Sequence, residues 1–309
     1  DSNHLAFGAS IRHMSLTVDE VVTQPWAFSF DLTNPTSPVS EIPILEYGNS
    51  PTSFDRVAGF LQNSTDLNDQ AVLSLGAKFE DSDMTGSSVQ PGARLSFTFN
   101  EQNIFWGAYS RALRQPSLTE KYTKVSYARV FDPNTKKWTE LYFESAGNLN
   151  DEKMDAFELG WRTRPNDKLL IELSLYHYST KDAVFSGPPI YSTSNVKTNG
   201  AELTFDYRAL NAWHLQGGYS YSRGKKDGKV QEEFPESMAN LSSHVKINDD
   251  LTFSQSLYFT SDRILGPDSY NPFTIEDYLR LDLGLTWRVW NNWEFGLFGR
   301  DLLDPGHAE

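Results

Sequence analysis

The feature that most limits what this chain can fold into is a strict alternation of apolar and polar residues, sustained over segments longer than ordinary strands. Leu279, Leu281, Leu283, Leu285, Trp287 and Val289 occupy every second position, with Arg280, Asp282, Gly284, Thr286 and Arg288 between them. At a period of two, these sets fall on opposite faces of a strand, whereas a helix would scatter the leucines all round. Leu73, Leu75, Ala77 and Phe79 repeat the pattern, as do Ala93, Leu95, Phe97 and Phe99, then Leu169, Ile171, Leu173 and Leu175. Ala201, Leu203, Phe205 and Tyr207 follow it again, and so do Leu251, Phe253, Leu257 and Phe259.

Thirteen strands are expected, near 4–18, 54–65, 70–82, 88–100, 103–114, 153–164, 168–181, 196–208, 212–223, 238–248, 251–263, 278–289 and 292–303. Most are far longer than the roughly 5 to 6 residues usual in soluble sheets, and they reach the roughly 9 to 11 tilted residues that cross a bilayer. The connections alternate in length. Tight turns fall near 66–69, 100–102, 165–167, 210–211, 249–250 and 290–291, whereas long loops are expected at 19–53, 115–152, 182–195, 224–237 and 264–277, with a short exception at 83–87. Short turns on one side and long loops on the other mark an outer-membrane barrel, with the long side extracellular. Trp106, Trp161, Trp213, Trp287, Trp290 and Trp293 lie close to the expected short turns, while Trp26 and Trp138 fall in long loops. Indole rings favour the bilayer interface, so the six read as a periplasmic aromatic girdle.

Mean hydropathy is -0.50, and no run of 18 apolar residues exists, which excludes a bundle of membrane helices. A barrel escapes that test because only one face of each strand has to be apolar. The formal charge of -14, with no Lys/Arg-rich run, argues against a nucleic-acid partner. Cysteine is absent, so there is no disulfide framework and no thiolate chemistry.

Ser110-Arg111-Ala112-Leu113-Arg114-Gln115-Pro116-Ser117, after Val89-Gln90-Pro91-Gly92-Ala93-Arg94, resembles the strand-to-loop segment of TonB-dependent outer-membrane receptors. Asn148-Leu149-Asn150-Asp151-Glu152 with Phe157-Glu158-Leu159-Gly160-Trp161-Arg162 resembles their return from an outer loop, although the family usually has Pro where Asp151 stands. Asn199-Gly200-Ala201-Glu202-Leu203, Tyr219-Ser220-Tyr221 and Asp301-Leu302-Leu303-Asp304 are similar to later hairpins of the same barrel. The resemblance implies an all-β, antiparallel up-and-down transmembrane barrel of about 22 strands around a plug. Residues 1–309 read as its C-terminal portion, about the ninth to the twenty-first strand, without the plug domain and without the last strand. It also implies an outer-membrane address and active uptake of a scarce ligand, with a ferric siderophore or other metal chelate as the leading class. Energy would come from TonB through the plug, and lipid is the other expected partner.

No GxSxG, GxxxxGK[ST] or GxGxxG motif stands in the chain, and His4, His13, His177, His214, His244 and His307 are dispersed. No enzyme, catalytic residue, bound metal or cofactor is therefore expected. Ligand capture would use the long loops, where aromatic rings stack on flat groups and cations hold anionic ones. Trp138, Tyr142, Phe143, Tyr191 and Arg263 are the candidates. Arg94, Arg280, Arg288, Glu158, Glu202 and Asp282 read as a charge lattice on the lumen face. A passive porin-type barrel, or a soluble all-β carbohydrate-binding domain with leucines packed between two sheets, are the alternatives.

Overall fold

A computed structural model describes residues 3–15, 22–24, 29–30, 42–47, 53–132, 136–145, 149–186, 191–266, 271–290 and 293–303. All thirteen expected strands are present. They are β1 (Asn3–Ser15), β2 (Ser53–Asn68), β3 (Ala71–Ser82), β4 (Gly86–Asn100), β5 (Asn103–Arg114), β6 (Glu152–Asn166) and β7 (Leu169–Ser186), followed by β8 (Tyr191–Leu210), β9 (Trp213–Lys226), β10 (Ser237–Lys246), β11 (Leu251–Thr260), β12 (Tyr278–Trp290) and β13 (Trp293–Gly299). Each pairs antiparallel with its neighbours in chain order, from β1 to β13, and no described pairing joins the two ends.

The registers carry the alternation from strand to strand. Phe7 faces Leu61, Leu61 faces Ala77, Leu75 faces Ala93 and Leu95 faces Gly107. Leu159 faces both Gly107 and Leu175, and Leu203 faces both Leu173 and Tyr219. One continuous face of the sheet is therefore apolar. Among the described residues nothing covers that face: Leu159 is 62% exposed and Phe157 53%, although both lie in a central strand. In water each such side chain would forgo about 1.5 to 3 kcal/mol of burial. A soluble sandwich would cover this face with a second sheet, so the exposed leucines speak against the soluble alternative.

The opposite face is polar and packed by small residues where large ones need room. A Cβ at Gly160 would lie 2.1 Å from Cε2 of Trp106, and one at Gly200 would lie 2.2 Å from the Tyr176 hydroxyl. Trp106 belongs to this face, with the Arg94 guanidinium 4.2 Å from its ring centre. Its inclusion in the interfacial girdle is thus corrected: closeness to a turn sets depth, but the parity of the strand sets the face. Trp161 and Trp213 do lie on the apolar face, and their indole N–H groups donate to Asn103 and to the Ser243 hydroxyl, each at 3.1 Å.

The described parts of the long connections contain further strands. Segments 19–53 and 115–152 are not plain loops: Val22–Gln24, Ser29–Phe30, Ile42–Tyr47, Thr123–Asp132 and Lys137–Glu144 form a second, five-stranded sheet. Ile42–Tyr47 pairs with the start of Thr123–Asp132, so two distant connections are joined by backbone hydrogen bonding. β7 and β8 also continue into the expected 182–195 loop, with a register shift after Thr180 where Asp182 takes φ 56°. Arg263–Leu265 pairs with Phe273–Ile275, which places a small hairpin inside the last long loop.

Candidate functional site

The polar face is a set of satisfied charges and rings. Arg280 donates twice to Asp282, at 3.0 and 2.8 Å, and the Asp301 backbone N–H adds a bond of 2.9 Å. The Tyr178 hydroxyl donates to Glu158 at 2.8 Å and its ring stacks on Tyr176. Arg162 pairs with Glu172 at 2.9 Å, and Arg56 with Glu80 at 3.3 Å. These bonds link neighbouring strands or fix side chains along one strand, so the face works as a rigid polar lining.

The end of the sheet that carries the long connections is built differently. β5 leads through Gln115 and Pro116 into a five-residue helix, α1 (Leu118–Tyr122). Proline ends the strand, and Ser117 then caps the helix. The Glu120 N–H donates to Ser117 Oγ at 3.1 Å, and the Ser117 N–H donates to Glu120 Oε2 at 2.7 Å. This reciprocal capping box has the S-x-x-E spacing.

The helix is tied to the sheet from three sides. Arg114 holds Glu120 through two bonds of 3.0 Å and also pairs with Glu152. Gln115 donates to Ser82 Oγ at 2.6 Å, and Lys121 donates to the Met84 carbonyl. Glu152 in turn accepts the Val184 N–H at 2.9 Å. Burial opposes ionisation of Glu120, but Arg114 and the Ser117 donors outweigh it and hold the carboxyl below the usual glutamate range. The helix passes directly into Thr123–Asp132, and the Ser145 N–H closes the root of that hairpin on the Thr123 carbonyl at 2.9 Å.

Trp138, Tyr142 and Phe143 share the returning strand of this hairpin, as Cα partners of Phe131, Ser126 and Val125. Their side chains lie outside the described residues. Tyr191 opens β8 opposite Ser186, and Arg263 pairs with Ile275 in the small hairpin. The five candidates therefore stand at the same end of the sheet, on three separate hairpins, and only the first three are brought onto one strand. The anchoring residues Arg114, Gln115, Glu120 and Glu152 are not among the candidates that the sequence offers. The Ser117 to Glu120 spacing is the one signal that could have found them. Among the described residues, no group of three or more His, Asp or Glu is placed to hold a metal ion.

Residues 3–302 match the family model described as TonB dependent receptor-like, beta-barrel. The chain belongs to that family. As a TonB-dependent receptor barrel it is an outer-membrane chain, and the apolar face of its sheet is the lipid face. Solved structures carry the same fold. The ferric enterobactin receptor PfeA of Pseudomonas aeruginosa, in complex with BCV-L6, matches with a TM-score of 0.72 and 17% identity, over 99% of this chain and 48% of that one. The siderophore receptor PirA from Acinetobacter baumannii matches at 0.67 and 13% identity, over 82% of this chain and 42% of that one. The ferripyoverdine receptor of the outer membrane of Pseudomonas aeruginosa, bound to ferripyoverdine, matches at 0.64 and 15% identity, over 82% and 35%. The TonB-dependent receptor chain thus spans between 35% and 48% of the length of these receptors. No curated protein sequence matches it.

Proposed function

We propose that this chain supplies a large part of the barrel wall of an active-transport receptor that takes up a ferric siderophore or another metal chelate. Residues 1–309 would be the C-terminal portion of the barrel, with the plug and its contact to TonB in the rest of the receptor. The observation that carries this reading is the long-connection end. A second sheet stands there on a hydrogen-bonded root, and it bears Trp138, Tyr142 and Phe143 on one strand. Aromatic residue types on a strand at the long-connection end suit the flat, aromatic iron-binding groups of a chelate, and Arg263 suits its negative charge. The similar solved structures include several siderophore receptors, which supports the same ligand class.

The test is uptake of radiolabelled ferric chelates by cells expressing the full receptor, with and without TonB. Saturable uptake that needs TonB is expected. Replacing Trp138, Tyr142 and Phe143 together by alanine should raise the half-saturation concentration about tenfold or more, since each ring contact is worth about 0.5 to 1.5 kcal/mol. Uptake indifferent to TonB would overturn the reading in favour of a passive barrel. A receptor that binds no chelate but retains an oligosaccharide would assign a different substrate class.

A further inference from the structure

Six histidines are scattered along the chain, yet the fold sets two of them face to face. His214, near the start of β9, stands directly opposite His244 of β10. Both follow the parity of the polar face: their chain neighbours Trp213 and Ser243 lie on the lipid side, where the indole N–H bonds the hydroxyl at 3.1 Å. The pair therefore looks into the lumen at the depth of an interfacial tryptophan, close to the short turns and so at the periplasmic mouth. The Lys246 N–H donates to the Ala212 carbonyl at 2.7 Å, which makes His214 and His244, two positions along, a hydrogen-bonded pair with Cβ atoms about 5 Å apart.

One of the two imidazoles is already held as metal-bound histidines are held. Nε2 of His214 lies 3.0 Å from Oδ1 of Asp206, and the other oxygen of that carboxylate accepts a bond from Gln216 Nε2 at 2.8 Å. An ionised carboxylate can only accept, so this bond fixes the proton on Nε2 and leaves the Nδ1 lone pair bare. A carboxylate behind the ring is the usual outer support of a metal-bound imidazole. His244 is exposed and, among the described residues, bonded to none, so its ring is free to turn toward the same point. Asp206 itself is no third ligand, since both its oxygens are engaged, in keeping with the lack of any three-residue cluster of His, Asp or Glu among the described residues.

The charges around the pair decide which ion it suits. Arg208 stands opposite His214 on β8, and Lys246 follows His244 by two positions, drawn off to Asp249 at 2.8 Å. On β11 the residue opposite His244 is Ser254. Apart from Asp206, no carboxylate stands opposite or diagonal to either histidine. Calcium and magnesium, which need several oxygen ligands, therefore find nothing here. Neutral imidazoles suit copper, nickel and zinc.

We propose that His214 and His244 form a site on the lumen wall for a transition-metal dication of the copper, nickel and zinc class. Two imidazole nitrogens and water would bind the ion, with Asp206 and Gln216 as its outer support. Metal–nitrogen bonds of about 2.0 to 2.1 Å from each ring bridge the two strands. The ion would tie β9 to β10 at the periplasmic mouth. That is the opposite end of the sheet from the aromatic strand proposed to meet a chelate, so the two readings stand or fall separately.

The experiment uses the full receptor, purified without a polyhistidine tag, stripped with a chelator and titrated with nickel and with copper(II). Replacing His214 or His244 by alanine should weaken nickel binding about tenfold or more. Asp206→Asn keeps both ligands and should weaken it about tenfold, the scale of a lost outer support. His177→Ala, on the lipid face, should leave it unchanged. Copper on the wild type should show coupling to two imidazole nitrogens in its electron paramagnetic resonance spectrum, and on His244→Ala to one. Heat-modifiable migration checks that each variant is folded. If His214→Ala does not assemble, His244→Ala, at an exposed side chain, and the wild-type copper spectrum carry the same expectation. Equal nickel affinity in His177→Ala and His244→Ala, a copper spectrum unchanged in His244→Ala, or displacement of the nickel by an equal concentration of calcium would each overturn the proposal.

Discussion

Glu158 and Leu159 are neighbours in one central strand, yet they live in different solvents. Glu158 turns to the polar face and accepts the Tyr178 hydroxyl at 2.8 Å, whereas Leu159 turns outward and is 62% exposed. The lumen side of such a barrel is stabilised as a protein interior is, by directed bonds between named partners. The other side is stabilised by lipid, which makes no directed bond and asks only that no charge be present. Tolerance to mutation should therefore differ between the faces in kind as well as in size.

The largest effect should come from placing a cation on the wrong side of this divide. Leu159→Arg, in the middle of β6, should cost about 2 to 4 kcal/mol, the range for arginine near the bilayer midplane. It should appear as a sharp fall in the heat-modifiable, folded form of the full receptor on a gel, while Glu158→Gln leaves that form near the wild-type level. Equal losses in the two variants would mean that the faces are not distinguished by solvent.

A smaller effect is expected inside the polar lining. Gly160→Val puts a side chain where the Trp106 ring stands, 2.1 Å from its nearest atom, and should cost about 1 to 3 kcal/mol by overpacking. Urea unfolding in lipid vesicles would measure it, and Trp106→Ala should restore part of the loss. If Gly160→Val is neutral, the lining is looser than the Trp106 and Arg94 packing indicates.

The smallest effect belongs to the root of the second sheet. Glu120 is held below its ordinary ionisation range, so its contribution is complete above the unfolded glutamate value and is lost as pH falls through the folded one. Arg114 is about half exposed, which limits that contribution to about 1 kcal/mol or less. Acidification below the ordinary glutamate range should raise hydrogen exchange in 117–145 before it affects β6 or β7, and Glu120→Gln should remove the pH dependence. Uniform exchange over both regions would show that α1 does not anchor the hairpin.

The thirteen strands and their two faces are legible in the sequence because alternation is local: each residue's side follows from its neighbours two positions away. Leu279 to Val289 need no partner strand to declare a face. The boundaries differ only where pairing extends or stops early, as at β7, β8 and β13. Tertiary structure alone decided the rest. The pairing of Ile42–Tyr47 with Thr123–Asp132 joins segments about eighty residues apart, and nothing in either short segment names the other. Trp106 stands on the polar face because the turn before β5 sets its register, and Gly160 leaves the ring its space. The facing histidines arise in the same way. Each is an isolated residue in the sequence, and only the register of β9 with β10 sets His214 opposite His244.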